Sequence, residues 1–225
     1  MNPPSPVQAD RPSPARQPRR VCYLAGRSET PLTVLLVVGS LRENSATRTV
    51  LAWLARELDA AGCVTELLDL GRSPLPFYNP DTTYTNPAFP VLKARVERAD
   101  VFVLGTPDYH GSMSSPLKNF LDHFWHEFAG KLFVTLVASH EKGLTATDHL
   151  RTVARQCQAW TLPYGVSFVE QADVQGDQIV NPKLQTRLAM LARDTRVYGA
   201  LLARQRRADL AGAEPGFLAR LRKSG

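Results

Sequence analysis

Thr33-Val-Leu-Leu-Val-Val-Gly-Ser-Leu-Arg-Glu-Asn-Ser-Ala-Thr47 runs from an apolar strand, through a short polar loop, straight into a helix. An unbroken apolar run of this kind belongs to a strand buried on both faces of a parallel sheet. The loop holds the parts of an anion clamp. Gly39 lets the backbone approach a ligand closely. Ser40, Arg42, Ser45 and Thr47 supply hydroxyl donors and a positive fork, and a helix start adds free N–H groups and the positive end of its dipole. The spacing matches neither Gly-x-x-x-x-Gly-Lys-Ser/Thr nor Gly-x-Gly-x-x-Gly. Taken alone, the stretch is equally an ordinary strand–turn–helix capped by Asn44 or Ser45.

The rest of the chain repeats the alternation. After the helix at 45–61, stopped by Gly62, a strand is expected at Val64–Asp69, then a Pro-rich connector, Leu75–Asp81, and a helix at 88–99. Asp100–Gly105 is a third strand. Ser115-Pro116 starts a helix with a capping hydroxyl and Pro in the first turn. Lys131–Ala138 is a fourth strand, a helix follows at 144–159, Gly165–Glu170 is a fifth strand, and a long helix spans 183–207. Five strands alternating with five helices, with crossovers long enough for right-handed βαβ units, imply an α/β fold with one parallel sheet covered on both faces. Ligands bind such sheets beyond the carboxyl ends of the strands. That places three loops together: Gly39–Thr47, Thr106–Ser115 and Ser139–Gly143.

Charge argues against nucleic acid. The net +6 is concentrated at the ends, with +4 in residues 1–27 and +4 in residues 203–225, leaving the section between at −2. That pattern describes solvated tails better than a binding groove. Residues 1–30 hold six prolines and bury too little apolar surface to order, so a disordered Pro/Arg-rich tail is expected, followed by a domain at 31–207 and a basic tail at 208–225. No apolar run approaches the ~20 residues of a membrane span, and no secretory signal is evident, so a cytoplasmic protein is expected. Cys22, Cys63 and Cys157 are odd in number and widely spaced, and read as reduced thiols in or near the core. His123 and His126 match no zinc motif and read as an amphipathic helix face, so no metal site is assigned. Phe120, Phe124, Trp125 and Phe128 exceed what one sheet contact requires, and read either as a thick core or as a subunit interface.

Gly39-Ser-Leu-Arg-x-x-Ser45, Thr106-Pro-x-Tyr109-x-Gly-Ser112 and Leu117-Lys-Asn-x-Leu-Asp122, with the connector Leu75–Asp81, occur in an order that resembles the NADPH-dependent FMN reductase family of flavodoxin-like proteins. The resemblance covers roughly residues 33–200. It implies a flavodoxin-like three-layer sandwich with a five-stranded sheet in the order 2-1-3-4-5. It also implies FMN as cofactor and NADPH or NADH as co-substrate, with hydride passing to flavin N5 and on to a small-molecule acceptor by a ping-pong route. Ser40, Arg42, Ser45 and Thr47 would hold the FMN phosphate. Pro107, Asp108, Tyr109, His110, Gly111 and Ser112 would line the isoalloxazine, and Ser139 and Gly143 would close the far side. No protein side chain is assigned to the hydride chemistry, although His110 is a candidate substrate contact. The family usually carries Glu-Tyr-Asn where this chain has Asp108-Tyr109-His110. A homodimer or homotetramer is implied. The other readings are an electron-transfer flavodoxin that passes single electrons to protein partners, an FMN-dependent dehydrogenase of a biosynthetic intermediate, and a non-enzymatic nucleotide-binding or response-regulator-like domain.

Overall fold

The computed structural model describes residues 30–140 and 142–222. The expected disordered segment, apart from Thr30, lies outside the described residues, as does Cys22. Strands β1 (Thr33–Val38), β2 (Val64–Asp69), β3 (Val101–Pro107) and β4 (Leu132–Ala138) pair in parallel in the order β2-β1-β3-β4. The fifth position is shared by β5 (Trp160–Thr161) and β6 (Val166–Phe168), which pair with the two ends of β4. A single strand at Gly165–Glu170 was expected. Pro163 has no N–H to give the ladder, so the strand breaks around it and resumes three residues later. The order 2-1-3-4-5 holds with that split.

Helices α1 (Ala46–Ala60), α2 (Phe89–Arg98), α3 (Ser115–Asp122), α4 (Leu144–Gln156), α5 (Glu170–Asp173) and α6 (Pro182–Ala211) complete the layers, with a small hairpin of β7 (Val174–Gln175) and β8 (Gln178–Ile179) before α6. Side chains alternate along a strand. Val34, Leu36 and Val38 therefore pack with Leu51, Leu54 and Leu58 of α1 and Leu184, Leu188 and Leu191 of α6. Leu35 and Val37 pack with Leu92 and Val96 of α2, Leu117 and Phe120 of α3, and Leu150 and Ala154 of α4. Each such Leu or Phe contributes about 1.5–3 kcal/mol on burial.

The aromatic excess after Ser115 resolves into core. Helix α3 ends at Asp122, and the following turn brings Phe124 and Phe128 inward beside Phe120. Phe128 meets Phe102 and Phe133 edge-on, with ring centroids 4.9 and 5.0 Å apart. Trp125 faces solvent at 56% exposure. His123 is buried, its Nδ1 sharing a 2.7 Å hydrogen bond with the Asn119 carbonyl, and His126 stacks on Trp125. Cys63 and Cys157 are buried free thiols, and burial pushes the Cys157 pKa up to about 11.

Two features lie at the far edge of the sheet from the cleft described below. Helix α6 continues to Ala211, beyond the expected 207, and the chain then folds back. Leu218 is 2% exposed and packs where a Cβ on Gly130 would sit 2.9 Å from its Cδ1, so part of the segment read as a basic tail is anchored to the domain. Lys131 is also buried, and its Nζ donates to the carbonyls of Val96 (2.8 Å) and Glu97 (2.9 Å) at the end of α2. Burial, assisted by Arg206, lowers its pKa to about 7. Among the described residues, no helix is long and apolar enough to cross a membrane.

Candidate functional site

The loop after β1 is shaped from both sides. The Gly39 N–H donates to the Gly105 carbonyl (2.8 Å), and Ser114 Oγ donates to the Gly39 carbonyl (2.6 Å). A Cβ at Gly39 would lie 2.8 Å from that Gly105 oxygen and 2.9 Å from Leu117 Cβ. The glycine is thus required by the packing of β1 on β3 and α3, a reason the sequence did not suggest. Gly105 plays a matching part beneath α1, where a Cβ would meet Leu51 Cδ1 at 2.6 Å and Thr47 Cγ2 at 2.9 Å.

Ser45 is the N-cap of α1, its Oγ accepting from the Arg48 N–H (3.3 Å). Ser40 Oγ accepts from the Arg42 N–H (3.4 Å). A hydroxyl that accepts still has a proton to give. Among the described residues, none accepts the hydroxyl protons of Ser40 or Ser45, and the Thr47 hydroxyl has no partner at all. The N–H groups of Ala46 and Thr47 are likewise without an acceptor, as expected for a first helical turn. Ser40, Ser45 and Thr47 are nearly buried, and all three line one cleft. Capping and anion binding are therefore compatible here, because the cap uses a lone pair and leaves the proton.

Arg42 turns across this cleft to Glu170 at the start of α5, and its Nη1 donates to Oε1 (3.0 Å) and Oε2 (2.8 Å). Arg48, which the sequence did not single out, is the loop's brace. Its Nη1 donates to the carbonyls of Arg42 (3.1 Å) and Glu43 (2.6 Å), while its Nε and Nη2 bind the Asp69 carboxylate at the end of β2. Burial works against the Asp69 charge, but Arg48 and the Gly71 N–H outweigh it and hold the carboxyl below its usual pKa.

The loop after β3 makes a two-residue hairpin turn. Tyr109 and Ser112 exchange both backbone hydrogen bonds at 3.0 Å, and His110 and Gly111 take φ of 54° and 76°. Positive φ at both central positions is the mirror-image turn that suits a β-hairpin, with Gly at the second. Asp108 braces it, Oδ1 accepting from the Gly111 N–H (2.8 Å) and Oδ2 from Ser139 Oγ (3.1 Å). After β4, Gly143 sits at the N-cap of α4 with φ 60°, and a Cβ there would meet Val137 Cγ1 at 2.9 Å.

The cleft, of about 170 Å³, is lined by Ser40, Arg42, Ser45 and Thr47 at one end and by Pro107, Asp108, Tyr109, Ser139 and His140 at the other. It adjoins a wider open depression of about 760 Å³, which shares Asp108, Ser139 and His140 and is lined also by Gly111, Lys142 and Gly143. Ten of the twelve expected residues are therefore brought together, as the two linings show. The other two are not. His110 sits at the turn's tip outside these walls, and Ser112 Oγ faces the other way, sharing a 3.0 Å hydrogen bond with His149 Nδ1. Glu170 and Gln171 form a wall the sequence did not suggest, because β6 ends at Phe168 and both residues fall in the short helix α5 rather than in the expected strand.

The donor set suits FMN. Hydroxyl protons and N–H groups without acceptors meet a helix N-terminus at one end of the cleft, as a phosphate dianion requires. A rigid loop with an exposed tyrosine stands at the other. Fold and site together define a flavodoxin-like flavoprotein. The match to the model of the NADPH-dependent FMN reductases spans residues 32–173, and the chain belongs to that family, whose cofactor is FMN and whose hydride source is NADPH. It is 30% identical over 139 residues to the FMN-dependent NADPH-azoreductase of Staphylococcus haemolyticus, covering 57% of this chain and 72% of that protein. Among solved structures, the apo form of the NADH:FMN oxidoreductase EmoB matches with a TM-score of 0.61 at 20% identity, covering 74% of this chain and 89% of the other. The flavoenzyme NAD(P)H:(acceptor) oxidoreductase FerB of Paracoccus denitrificans matches with a TM-score of 0.60 at 20% identity, covering 77% and 98%.

Proposed function

We propose that the protein is an NAD(P)H oxidoreductase that holds FMN in this cleft and reduces a small, flat organic acceptor such as a quinone or an azo compound. The observation that carries the reading is the convergence, at the first turn of α1, of three nearly buried residues that line the cleft and whose hydroxyl protons have no acceptor among the described residues. Ser40, Ser45 and Thr47 donate to the phosphate together with the Ala46 and Thr47 N–H groups, and Arg42 supplies the balancing charge. Pro107, Asp108, Tyr109, Gly111 and Ser139 fix the ring, with Gly143 at the far side. His110 and Ser112 are left out of the set because neither lines the cleft. When bound between these residues, FMN would supply the hydride chemistry, linking the nicotinamide to the acceptor in ping-pong order. The chain's own task is to bind, orient and leave one side open, and the wide depression beside Asp108 and Ser139 supports that opening.

The reading includes a homodimer or homotetramer. Its support is the exposure of Leu41 and Phe77, which share an apolar hollow with Pro116 beside the β1–α1 loop, rather than the α3 aromatics. It also includes a cytoplasmic location, where NADPH is supplied. The test is calorimetric titration with FMN and riboflavin, followed by steady-state kinetics with NADPH and several acceptors. FMN should bind at least about tenfold more tightly than riboflavin, which lacks the phosphate. Double-reciprocal plots should be parallel. Equal affinity for the two flavins would refute the phosphate assignment, and intersecting plots would refute the ping-pong order.

A further inference from the structure

Arg42 and Glu170 stand on opposite walls of the phosphate end of the cleft, one in the β1–α1 loop and the other after β6. Their side chains meet over it through two hydrogen bonds of 3.0 and 2.8 Å. Both also reach solvent, with side-chain exposures of 61% and 32%, so the pair forms the outer edge of the cleft rather than its floor. The neighbouring flank is closed by Arg48, which ties the carbonyls of Arg42 and Glu43 to Asp69. Inward lie the buried Ser40, Ser45 and Thr47.

We propose that the Arg42–Glu170 pair is a bar across the phosphate end, which admits a flavin ending in a phosphate monoester and rejects one whose phosphate continues into a diphosphate-linked nucleoside. The proposal rests on the placement of the FMN phosphate in the β1–α1 loop. A monoester terminates at the donors of Ser40, Ser45 and Thr47 and needs no exit. The same phosphate in FAD carries a second phosphate and an adenosine, and the chain of atoms must leave between Arg42 and Glu170. Its extra negative charge must also pass the Glu170 carboxylate. Arg42 has donors enough to serve a carboxylate and a phosphate together, so the pair persists over FMN. Glu170 is thus a specificity residue that touches the cofactor only when the cofactor is the wrong one.

The experiment is calorimetric titration of the full chain with FMN and with FAD, for the wild type, Glu170→Ala and Arg42→Gln, with thermal melting of each variant. The wild type should prefer FMN. Both substitutions open the bar from opposite sides, and each should shift the FMN-to-FAD affinity ratio toward FAD by about tenfold or more. Their effects on FMN itself should differ in sign. Arg42→Gln loses a phosphate contact and weakens FMN, whereas Glu170→Ala removes a facing carboxylate and leaves FMN affinity equal or tighter. A wild type that binds FMN and FAD alike, or a ratio that moves in neither variant or in only one, overturns the bar. A wild type that binds no FMN overturns instead the placement on which the bar rests. Melting unchanged within a few degrees confirms that the ratios compare folded proteins.

Discussion

Ser139 Oγ donates to Asp108 Oδ2 at 3.1 Å, so one hydrogen bond joins the loop after β3 to the loop after β4. The other carboxylate oxygen of Asp108 holds the Gly111 N–H in the hairpin turn. The Asp108 side chain therefore supports both the shape of one wall and its spacing from the next, alongside the bond from its own N–H to the Ala138 carbonyl (2.8 Å). Asp108→Asn keeps one acceptor but turns an amide toward Ser139. The expected result is a loss of about 1 kcal/mol in unfolding free energy and a several-fold weaker FMN affinity. Urea unfolding and calorimetry measure the two, and an unaltered FMN affinity would show that the wall spacing is irrelevant to the flavin.

Thr47→Val separates a ligand donor from a structural one. Among the described residues the Thr47 hydroxyl has no partner, and valine keeps its shape in a site 2% exposed. Without FMN the unfolding free energy should be unchanged or higher. FMN affinity should fall about tenfold to a hundredfold, the range for a hydrogen bond to a charged group. A variant that loses stability but keeps its FMN affinity would place the hydroxyl in the fold rather than the site.

Gly105→Ala should damage both together. Its Cβ would press on Leu51 Cδ1 and Thr47 Cγ2, lifting the first turns of α1 from the sheet. Overpacking of this kind costs about 1–3 kcal/mol, and displacement of Thr47 should weaken FMN in proportion. Denaturant unfolding with a parallel FMN titration tests the coupling, which fails if stability drops while FMN affinity stays at the wild-type value.

Lys131 gives a pH dependence of known sign. Its folded pKa of about 7 lies below the usual lysine value, first through burial and then through Arg206, with Asp100, Glu97 and Glu127 opposing. Between that value and about 10.4 the unfolded chain binds more protons than the folded one, so this group makes stability rise with pH across that window. Below about 7 both states are protonated and the full burial cost of the ammonium remains. Lys131→Met leaves the Val96 and Glu97 carbonyls unmet, a pH-independent loss, but removes the slope. Unfolding free energies at pH 6, 8 and 10 should show the wild type gaining on the variant as pH rises, and a constant difference would contradict the assignment.

The strand-to-helix switch at Gly39–Thr47 was readable because buried parallel strands are unbroken apolar runs and helix starts carry hydroxyl caps. The meeting of the loops followed from the sheet's topology alone. What escaped the reading depends on side chains reaching across distances the sequence does not encode. Arg48 looks like any helix-surface arginine until Asp69, 21 residues on, is brought beneath it. Arg42 reads as a free cation until Glu170, 128 residues away, faces it. Gly39 invites a ligand-side explanation, and only the approach of Gly105 shows what occupies the missing side chain's place. At the end of the chain the basic charge masks one buried leucine, Leu218.

On the proposed placement of the phosphate at Ser40, Ser45 and Thr47, the cofactor would be a partner in folding. A ligand that binds the native chain alone raises its stability by about 2.7 kcal/mol at a hundred times its dissociation constant. On the proposed reading, the lifetime of the protein in a cell would follow the supply of FMN, and a chain made under flavin shortage would be the first to be unfolded and removed.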